Sequence, residues 1–270
     1  MQIRSASEAR PHGTNEDFVL SGPGVAVVLD GAGMAPGMES GCCHGVPWFV
    51  KQLGTRLYAE VSRRRSPLSE CLAGAIEATA DLHRGQCALD DPHSPSATVA
   101  VARAGDDLFE WLVLGDCTAV VEAGQVVRAV TDDRLAKVAP QARKALAVAE
   151  PGSEHRKEAH RVLVEEERGY LNTPGGYWVA ATDPAAAGQA LNGVEDARIV
   201  QRAALLTDGA ARLVTAIGAI DWPGYLELLT HEGPEQAIRR VREAERSDPD
   251  LTRWPRSKQH DDATVVLLGP

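Results

Sequence analysis

The sequence lacks a long apolar run, a regular cysteine pattern and an excess of positive charge, and each absence excludes a class of protein. No apolar stretch in its 270 residues approaches the length of a membrane-spanning helix. The first residues, MQIRSASEARPHG, contain no apolar segment of the signal-peptide type. The five cysteines are odd in number and irregular in spacing, which argues against a disulfide framework. We therefore expect a cytoplasmic protein without a membrane partner.

The charge balance is acidic. Lys and Arg total 28 against 38 for Asp and Glu, and the formal net charge of -10 would repel a phosphate backbone. We therefore expect no nucleic acid partner. A hydrophobic content of 44% in 270 residues is enough for a sizeable core. Because the chain shows no internal repeat or low-complexity linker, we expect residues 1–270 to form a single domain.

Acidic residues stand at the ends of apolar, strand-like runs in four separate places. The runs are VAVVLDGAG at 25–33, WLVLGDC at 111–117, ALLTDGA at 204–210 and HDDATVVLL at 260–268. A fifth acidic pair, Glu16-Asp17, precedes another short apolar run. A carboxylate beside a buried strand lies at the edge of its sheet, where several strand ends can converge. Such converging oxygen ligands are the kind that Mg2+ and Mn2+ prefer.

Each of these acids, taken alone, has a simpler interpretation. Asp30-Gly31 and Asp208-Gly209 are common turn dipeptides. Asp261 and Asp262 alone would be read as a solvated loop before a strand. The set favours a metal centre, because an ordinary sheet does not need an acid at so many strand ends.

The order of the motifs carries a family resemblance. From the N-terminus they read NED, DGAG, PSATVAVAR, LGDCTAVV, LLTDGAARL and HDDATVV, and they extend from Asn15 to Leu268. This order and spacing resemble those of the metal-dependent serine/threonine protein phosphatases of type 2C, particularly the bacterial branch. The resemblance implies a single phosphatase domain with two Mn2+ or Mg2+ ions as cofactors.

The resemblance also implies a set of ligands on the matching residues. Asp30 corresponds to the carboxylate that bridges the two metals, and the Gly31 carbonyl is a further ligand. Glu16 corresponds to the acid of the second metal. Asp17, beside it, corresponds to a partner that acts through water.

The remaining acids are assigned in the same way. Asp208 and Asp261 match the other ligands of the first metal, and together with Asp30 they are the implied catalytic residues. Asp116 matches an acid that helps to hold a third, weaker metal in bacterial members. Asp262 occupies a place where relatives often carry Asn, so a supporting role is expected for it.

The chain departs from the family pattern around the substrate phosphate. Relatives commonly place an Arg three residues before the Asn of the first motif, where this chain has His12. Arg10 lies two residues out of register, so Arg10 and His12 are both candidate phosphate-binding residues. Ala32 stands where animal members carry a His that is proposed as the general acid.

The expected fold is α+β, a four-layer α/β/β/α sandwich of two antiparallel sheets flanked by helices. Predicted strands cover 25–30, 97–103, 108–115, 118–123, 125–131, 177–182, 198–207 and 263–268. Predicted helices cover 46–65, 67–88, 133–149, 153–169, 209–218 and 234–247. In relatives a variable flap follows the fourth motif. Here it would fall within 131–200, where substrate selection is expected to reside.

The predicted function is metal-dependent hydrolysis of phosphomonoesters, with phosphoserine and phosphothreonine in proteins as substrates and a water activated by two metals as the nucleophile. One alternative is a phosphatase of small phosphorylated metabolites. Another is a catalytically weak member of the family that regulates by binding phosphoproteins. The complete set of carboxylates argues against the second alternative. The position of Arg10, two residues away from the family's phosphate-binding Arg, argues for it.

Two His-containing features are interpreted as structural. Cys42-Cys43-His44 could bind zinc, but no second Cys or His pair follows at zinc-finger spacing, and a plain approach to a helix is favoured. His155 and His160 are five residues apart and do not share a helix face as a metal-binding pair would. Both are predicted to face solvent.

Overall fold

Two antiparallel sheets form the centre of the computed structural model, which describes residues 1–33, 40–63 and 66–269. The strands are, in chain order, β1 (Gln2–Glu8), β2 (Phe18–Gly22), β3 (Val25–Ala32), β4 (Ser96–Ala104), β5 (Leu108–Leu114), β6 (Thr118–Ala123), β7 (Val126–Thr131), β8 (Leu191–Asp196), β9 (Val200–Leu206) and β10 (Ala263–Gly269). One sheet has the order β1-β10-β9-β6-β7 and the other the order β2-β3-β4-β5-β8. Every pairing is antiparallel.

Helices cover the outer face of each sheet. The helices of the described residues are α1 (Val46–Arg63), α2 (Leu68–His83), α3 (Arg134–Lys137), α4 (Pro140–Val148), α5 (Glu154–Arg168), α6 (Asp208–Thr215), α7 (Trp222–His231) and α8 (Pro234–Ser247), with a 3-10 helix at Pro184–Gln189. The first two pack on the sheet that contains β3, and the last three pack on the sheet that contains β10. The predicted four-layer α/β/β/α sandwich is confirmed. Within the described ranges, none of these helices combines the length and the apolar character needed to cross a membrane.

Strand β3 shows how the sequence produces the layers. Successive side chains of a strand point to opposite faces. Val27 and Leu29 are fully buried against α1 and α2, whereas Ala26 and Val28 are fully buried between the two sheets. Because both faces are covered, the run is apolar without alternation, and it ends at the first residue that needs a polar environment, Asp30.

The predicted helix at 46–65 is confirmed up to Arg63, and residues 64 and 65 lie outside the described residues. Phe49, Leu53 and Leu57 recur at a spacing of one helical turn and are buried against the sheet. The helix predicted at 67–88 is shorter than expected and ends at His83. Gly85 has a φ of +81°, a left-handed conformation that turns the chain out of the helix.

The prediction of one continuous helix at 133–149 is wrong. The structure contains α3, then a break, then α4. Ala139 has a φ of 51° and precedes Pro140, which begins the second helix. A residue before proline is disfavoured in the helical conformation, whereas proline itself is tolerated at the first helical position.

Sequence patterns did not reveal three strands and one helix. β1 and β8 lie at sheet edges and are largely polar on one face, which weakens the apolar signal. The short strand β2 and helix α7 were also not predicted. Conversely, the strand predicted at 177–182 is wrong, because in the described residues this segment makes only two isolated bridges, Ala97 with Ala180 and Leu171 with Tyr177.

Candidate active site

Four aspartates from four chain segments converge on one cleft. Asp30 is near the end of β3, Asp116 is in the turn between β5 and β6, Asp208 begins α6 directly after β9, and Asp261 lies two residues before β10. Glu16 lines the same cleft. The structure thus brings together, at neighbouring strand ends, the acids that the sequence places far apart.

The cleft raises the pKa of its carboxyl groups. Burial, and then repulsion by Asp17, Asp208 and other acids, raises the pKa of Asp30 well above its usual range. Burial and the charge of Asp208 raise the pKa of Asp116 to about 7. Burial and the charge of Asp261 also raise the pKa of Asp208. When these carboxyl groups are ionised, the nearby positive charge is therefore too small to balance their mutual repulsion.

Asp17 lies behind the cleft and is only 8% exposed. Its Oδ2 atom accepts a hydrogen bond of 2.9 Å from the Thr207 hydroxyl, whereas its Oδ1 atom is buried and has no partner among the described residues. Burial raises the pKa of Asp17 to about 8, although hydrogen bonds from Thr264 and Thr207 oppose the shift. A buried carboxylate oxygen without a partner is costly, and a water or a cation would satisfy it.

Asp262 is used to hold the first motif in place. Its Oδ1 atom accepts from the Arg10 backbone N–H at 2.7 Å, and its Oδ2 atom accepts from the Glu16 backbone N–H at 2.9 Å. Because these bonds tie the segment before β2 to the entry of β10, Asp262 fixes where Glu16 stands. Unlike Asp261, it does not line the cleft.

The two candidate phosphate-binding residues occupy different places. Arg10 lines the cleft, and its Nη1 donates to Glu16 Oε2 at 3.1 Å and to Asp262 Oδ2 at 2.8 Å. His12 is exposed, has a φ of 61° and is not among the residues that line the cleft. Of the two, Arg10 alone is positioned at the candidate site.

A buried ion-pair network orients Asp261. Arg212 Nη2 donates to Asp261 Oδ2 at 3.0 Å, and Arg212 Nη1 pairs with Glu245. Glu245 is 1% exposed, and its Oε2 atom also lies 2.8 Å from Arg242 Nη1 and 2.8 Å from His260 Nδ1. The sequence signal for this network is weak, because its arginines and Glu245 lie on α6 and α8 among many other charged residues.

Replacing Glu245 with Gln should destabilise the fold by about 3 kcal/mol, because a buried ion pair that loses one partner leaves an uncompensated charge. Arg212 and Arg242 would both lose their fully buried anionic partner and would keep only Asp261 and Glu8, respectively. Urea denaturation of the two proteins measures the difference. Glu158→Gln is the matched control, since Glu158 pairs with Arg161 at the exposed surface of α5 and should leave the midpoint nearly unchanged. Equal midpoints for Glu245→Gln and the wild type would contradict the network's role.

Lys258 and His160 also line the cleft, and sequence reasoning missed both. Lys258 Nζ lies 3.3 Å from Asp261 Oδ1. Burial opposes its charged form, but the charges of Asp261 and Asp208 outweigh this and raise the pKa of Lys258. Burial, with the nearby charges of Lys258 and Arg156, lowers the pKa of His160, which favours the neutral imidazole. The prediction that His160 faces solvent is wrong, whereas His155 is exposed as predicted.

Two arginines of the cleft wall have structural partners. Arg143 donates to the carbonyls of Val138 at 3.0 Å and Leu135 at 2.6 Å and pairs with Glu167. Arg168 donates to the Gly33 carbonyl at 3.0 Å and to Pro92 and Ser96. These bonds fasten α4 and α5 beside the cleft.

Comparison with known proteins gives a family and a fold. A family model described as protein phosphatase 2C matches residues 14–241. The comparison with curated proteins found no significant match to the sequence. Among solved structures, the catalytic domain of the serine/threonine protein phosphatase PstP in complex with two manganese ions is similar, with 16% identity, coverage of 98% of this chain and 96% of that chain, and a TM-score of 0.57.

Two further structures have the same fold. MsPP, a PPM Ser-Thr phosphatase from Mycobacterium smegmatis in complex with cacodylate, shares 17% identity over 100% of this chain and 98% of its own, with a TM-score of 0.56. The serine/threonine phosphatase Stp1 from Staphylococcus aureus shares 14% identity over 100% of this chain and 94% of its own, with a TM-score of 0.57.

Proposed function

Because the chain belongs to the protein phosphatase 2C family and is therefore a metal-dependent phosphatase, we propose that it removes phosphate from phosphoserine and phosphothreonine in proteins. The observation that carries the proposal is the convergence of Asp30, Asp116, Asp208 and Asp261 with Glu16 on one cleft. A binding module would have no evident need for so many carboxylates in one place.

The residues present fit divalent cations. All the donors in question are oxygens, which suits Mn2+ and Mg2+. The carboxyl groups have raised pKa values, and the Asp17 Oδ1 atom is buried without a partner in the described residues. We propose that Asp30, Asp208 and Asp261 hold one ion, with the Gly31 carbonyl as a further ligand of the metal pair. Glu16 and Asp30 would serve a second, with Asp17 acting through water, and Asp116 would serve a weaker third.

Two such ions would supply positive charge for the phosphate oxygens and would lower the pKa of a water molecule. The chain's own residues prepare the site for this chemistry. Arg212 fixes the Asp261 carboxylate, and Asp262 fixes the Glu16 backbone. With a water molecule as the nucleophile, direct transfer of the phosphoryl group to water is the proposed reaction.

Arg10 and Lys258 are the proposed cationic contacts for the substrate phosphate. Both line the cleft, and both stand beside acids of the site. Arg10 can present a planar fork of donors, whereas Lys258 offers a point charge. In the described residues, both hydrogen bonds of the Arg10 guanidinium start from Nη1, which leaves the donors on Nε and Nη2 for a ligand.

Arg10→Lys should raise KM for a phosphopeptide by about tenfold, because loss of one charge-assisted hydrogen bond costs roughly 1.5 kcal/mol. The conservative change keeps a cation beside Glu16 and Asp262, so the acids are not left unpaired. Initial rates over a range of substrate concentrations separate KM from kcat. His12→Ala is the control and should change neither constant at pH 8. An unchanged KM in Arg10→Lys together with a raised KM in Lys258→Met would move the phosphate contact to Lys258.

The segment 131–200 is proposed to select substrates. It supplies much of the cleft wall through α3, α4, α5 and the stretch that follows them; its lining residues are Leu135, Arg143, His160, Leu163, Val164, Glu167, Arg168, Tyr177 and Val179. This wall combines apolar side chains with charges of both signs. In a bound phosphopeptide, the side chains next to the phosphorylated residue would contact this wall.

Phosphate release with Mn2+ tests the proposed function over a mixed panel of phosphoserine peptides, phosphothreonine peptides, sugar phosphates and nucleoside phosphates. We expect kcat/KM for the peptides to exceed that for the small phosphoesters. Preference for one small phosphoester would instead support a metabolite phosphatase. Hydrolysis of none of them, combined with tight binding of phosphopeptides, would support a regulator that binds without turnover.

A further inference from the structure

Two Cys and two His side chains form a cluster outside the acidic cleft. Cys42 and His44 lie in the segment before α1, His83 is the last residue of α2, and Cys87 follows four residues later. Their ligand atoms all lie within 4.8 Å of one another. None of the four lines the acidic cleft.

Three sulfur–nitrogen distances within the cluster match the edges of a tetrahedral site. Zn–S bonds of about 2.3 Å and Zn–N bonds of about 2.0–2.1 Å at tetrahedral angles separate a sulfur and a nitrogen ligand by about 3.5–3.6 Å. The Cys42 Sγ atom lies 3.6 Å from His44 Nδ1 and 3.6 Å from His83 Nδ1. The Cys87 Sγ atom lies 3.5 Å from His44 Nδ1.

Backbone contacts hold the segment that contains Cys42 and His44 against the segment that contains His83 and Cys87. The Ala88 N–H donates to the Gly41 carbonyl at 2.8 Å, so the residues that flank Cys87 and Cys42 are hydrogen-bonded to each other. Gly41 also lies so close to Ala88 that a side chain would not fit at position 41, since a Cβ there would lie 2.8 Å from the Ala88 carbonyl oxygen. The two loops are therefore fixed in contact.

Aromatic packing orients both imidazoles. Trp48 stacks on the His44 ring with centroids 4.1 Å apart, and its ring meets the His83 ring edge-on at 5.2 Å. His83 is 1% exposed. In the described part of the chain, the one polar contact of the His83 ring is the Cys42 thiol, a weak partner for a buried imidazole. A metal ion bound to Nδ1 would replace this weak contact with a stronger bond.

We propose that Cys42, His44, His83 and Cys87 bind one Zn2+ ion in a structural site that ties the entry of α1 to the end of α2. Two sulfur and two nitrogen donors in tetrahedral array suit zinc and do not suit Mg2+ or Mn2+. The prediction of a plain helix approach at Cys42-Cys43-His44 overlooked this arrangement, because the second pair lies far along the sequence and only the packing of α2 on α1 brings it close.

Cys43 supplies a matched control. It is exposed, and its Sγ atom lies 3.6 Å from both His44 Nδ1 and Cys87 Sγ, but it is not one of the four residues whose ligand atoms converge. Cys42 is 6% exposed and contacts both imidazoles, so it is the better ligand of the two neighbours. A Cys43→Ser protein therefore keeps all four proposed ligands.

The experiment measures metal content. Protein produced in zinc-supplemented medium and treated with a weak chelator should contain about one zinc per chain by elemental analysis. Cys87→Ser should lose at least about nine-tenths of it, and Cys43→Ser should retain it. Asp208→Asn should also retain it, because the acidic cleft is a separate site, so failure of the proposed phosphatase chemistry would not affect this result.

A second measurement covers the case in which Cys87→Ser does not fold. Co2+ substituted into the wild-type protein should give the strong visible absorption of a tetrahedral ion and a near-ultraviolet sulfur-to-metal band. A zinc-free wild-type protein that shows neither band with Co2+ would overturn the proposal. Equal loss of zinc from Cys43→Ser and Cys87→Ser would overturn the assigned ligand set.

Discussion

Asp30→Asn, Asp208→Asn and Asp261→Asn should each reduce kcat/KM for a phosphopeptide by roughly a thousandfold. Each change keeps the shape of the side chain and removes one anionic charge from the proposed metal ligands. Charge stabilisation by a bound metal is worth several kcal/mol, and about 1.4 kcal/mol corresponds to a factor of ten in rate. Steady-state kinetics with saturating Mn2+ measures the loss.

Asp116→Asn should be milder if Asp116 serves only a weaker third ion. Asp106→Asn is the matched control, because Asp106 is an exposed acid in the turn between β4 and β5 and should leave the kinetics unchanged. Equal losses at all four cleft aspartates, or full activity in Asp208→Asn, would contradict the assigned roles.

The stability of the metal-free protein should depend strongly on pH. In metal-free protein the pKa of Asp17 is raised to about 8 and that of Asp116 to about 7, against about 3.9 in an unfolded chain. A raised pKa in the folded state means that stability is fully present below the unfolded value and is lost as pH rises through the folded value. The melting temperature of chelator-treated protein should therefore fall between pH 5 and pH 8.

Mn2+ should reverse that loss, since a cation binds the ionised carboxylates of the folded state. A ligand at about one hundred times its dissociation constant stabilises by about 2.7 kcal/mol, which corresponds to a rise of roughly 5–10 °C for a chain of this size. Thermal melts at pH 8 with and without millimolar Mn2+ measure it. Asp116→Asn should melt higher than the wild type in chelator, because one repulsive charge is gone. An unchanged wild-type melting curve with Mn2+ would show that the cation site is not preformed.

Local patterns predicted the parts of the fold in which one residue type repeats with a clear period. β3 is buried on both faces, so Val25 to Leu29 stand out as an apolar run. The face of α1 recurs at helical spacing. β1 and β8 lack such a signal, because they lie at the edges of the sheets and none of their residues is fully buried. Helix α7 was missed although Trp222 and Pro223 stand at its start.

The candidate site likewise contains some residues that could be predicted from the sequence and others that could not. Its acids could be predicted because each stands at the end of an apolar run. Lys258, His160 and Glu245 could not, because charged residues on helices and loops are common and only the packing of distant segments decides which of them line the cleft, as Lys258 and His160 do, or support it from behind, as Glu245 does. The pairing of Cys42 and His44 with His83 and Cys87 has the same origin, since it depends on how α1 and α2 pack together.

We infer that the converging acids bind divalent cations and thereby support phosphoprotein hydrolysis. Titration of Mn2+ into chelator-treated protein, with phosphate release from a phosphothreonine peptide as the signal, tests it most directly. Release should be absent without metal, should rise to saturation with Mn2+, and should stay near background at every Mn2+ concentration in Asp30→Asn. Full hydrolysis by the metal-free wild-type protein would contradict the claim.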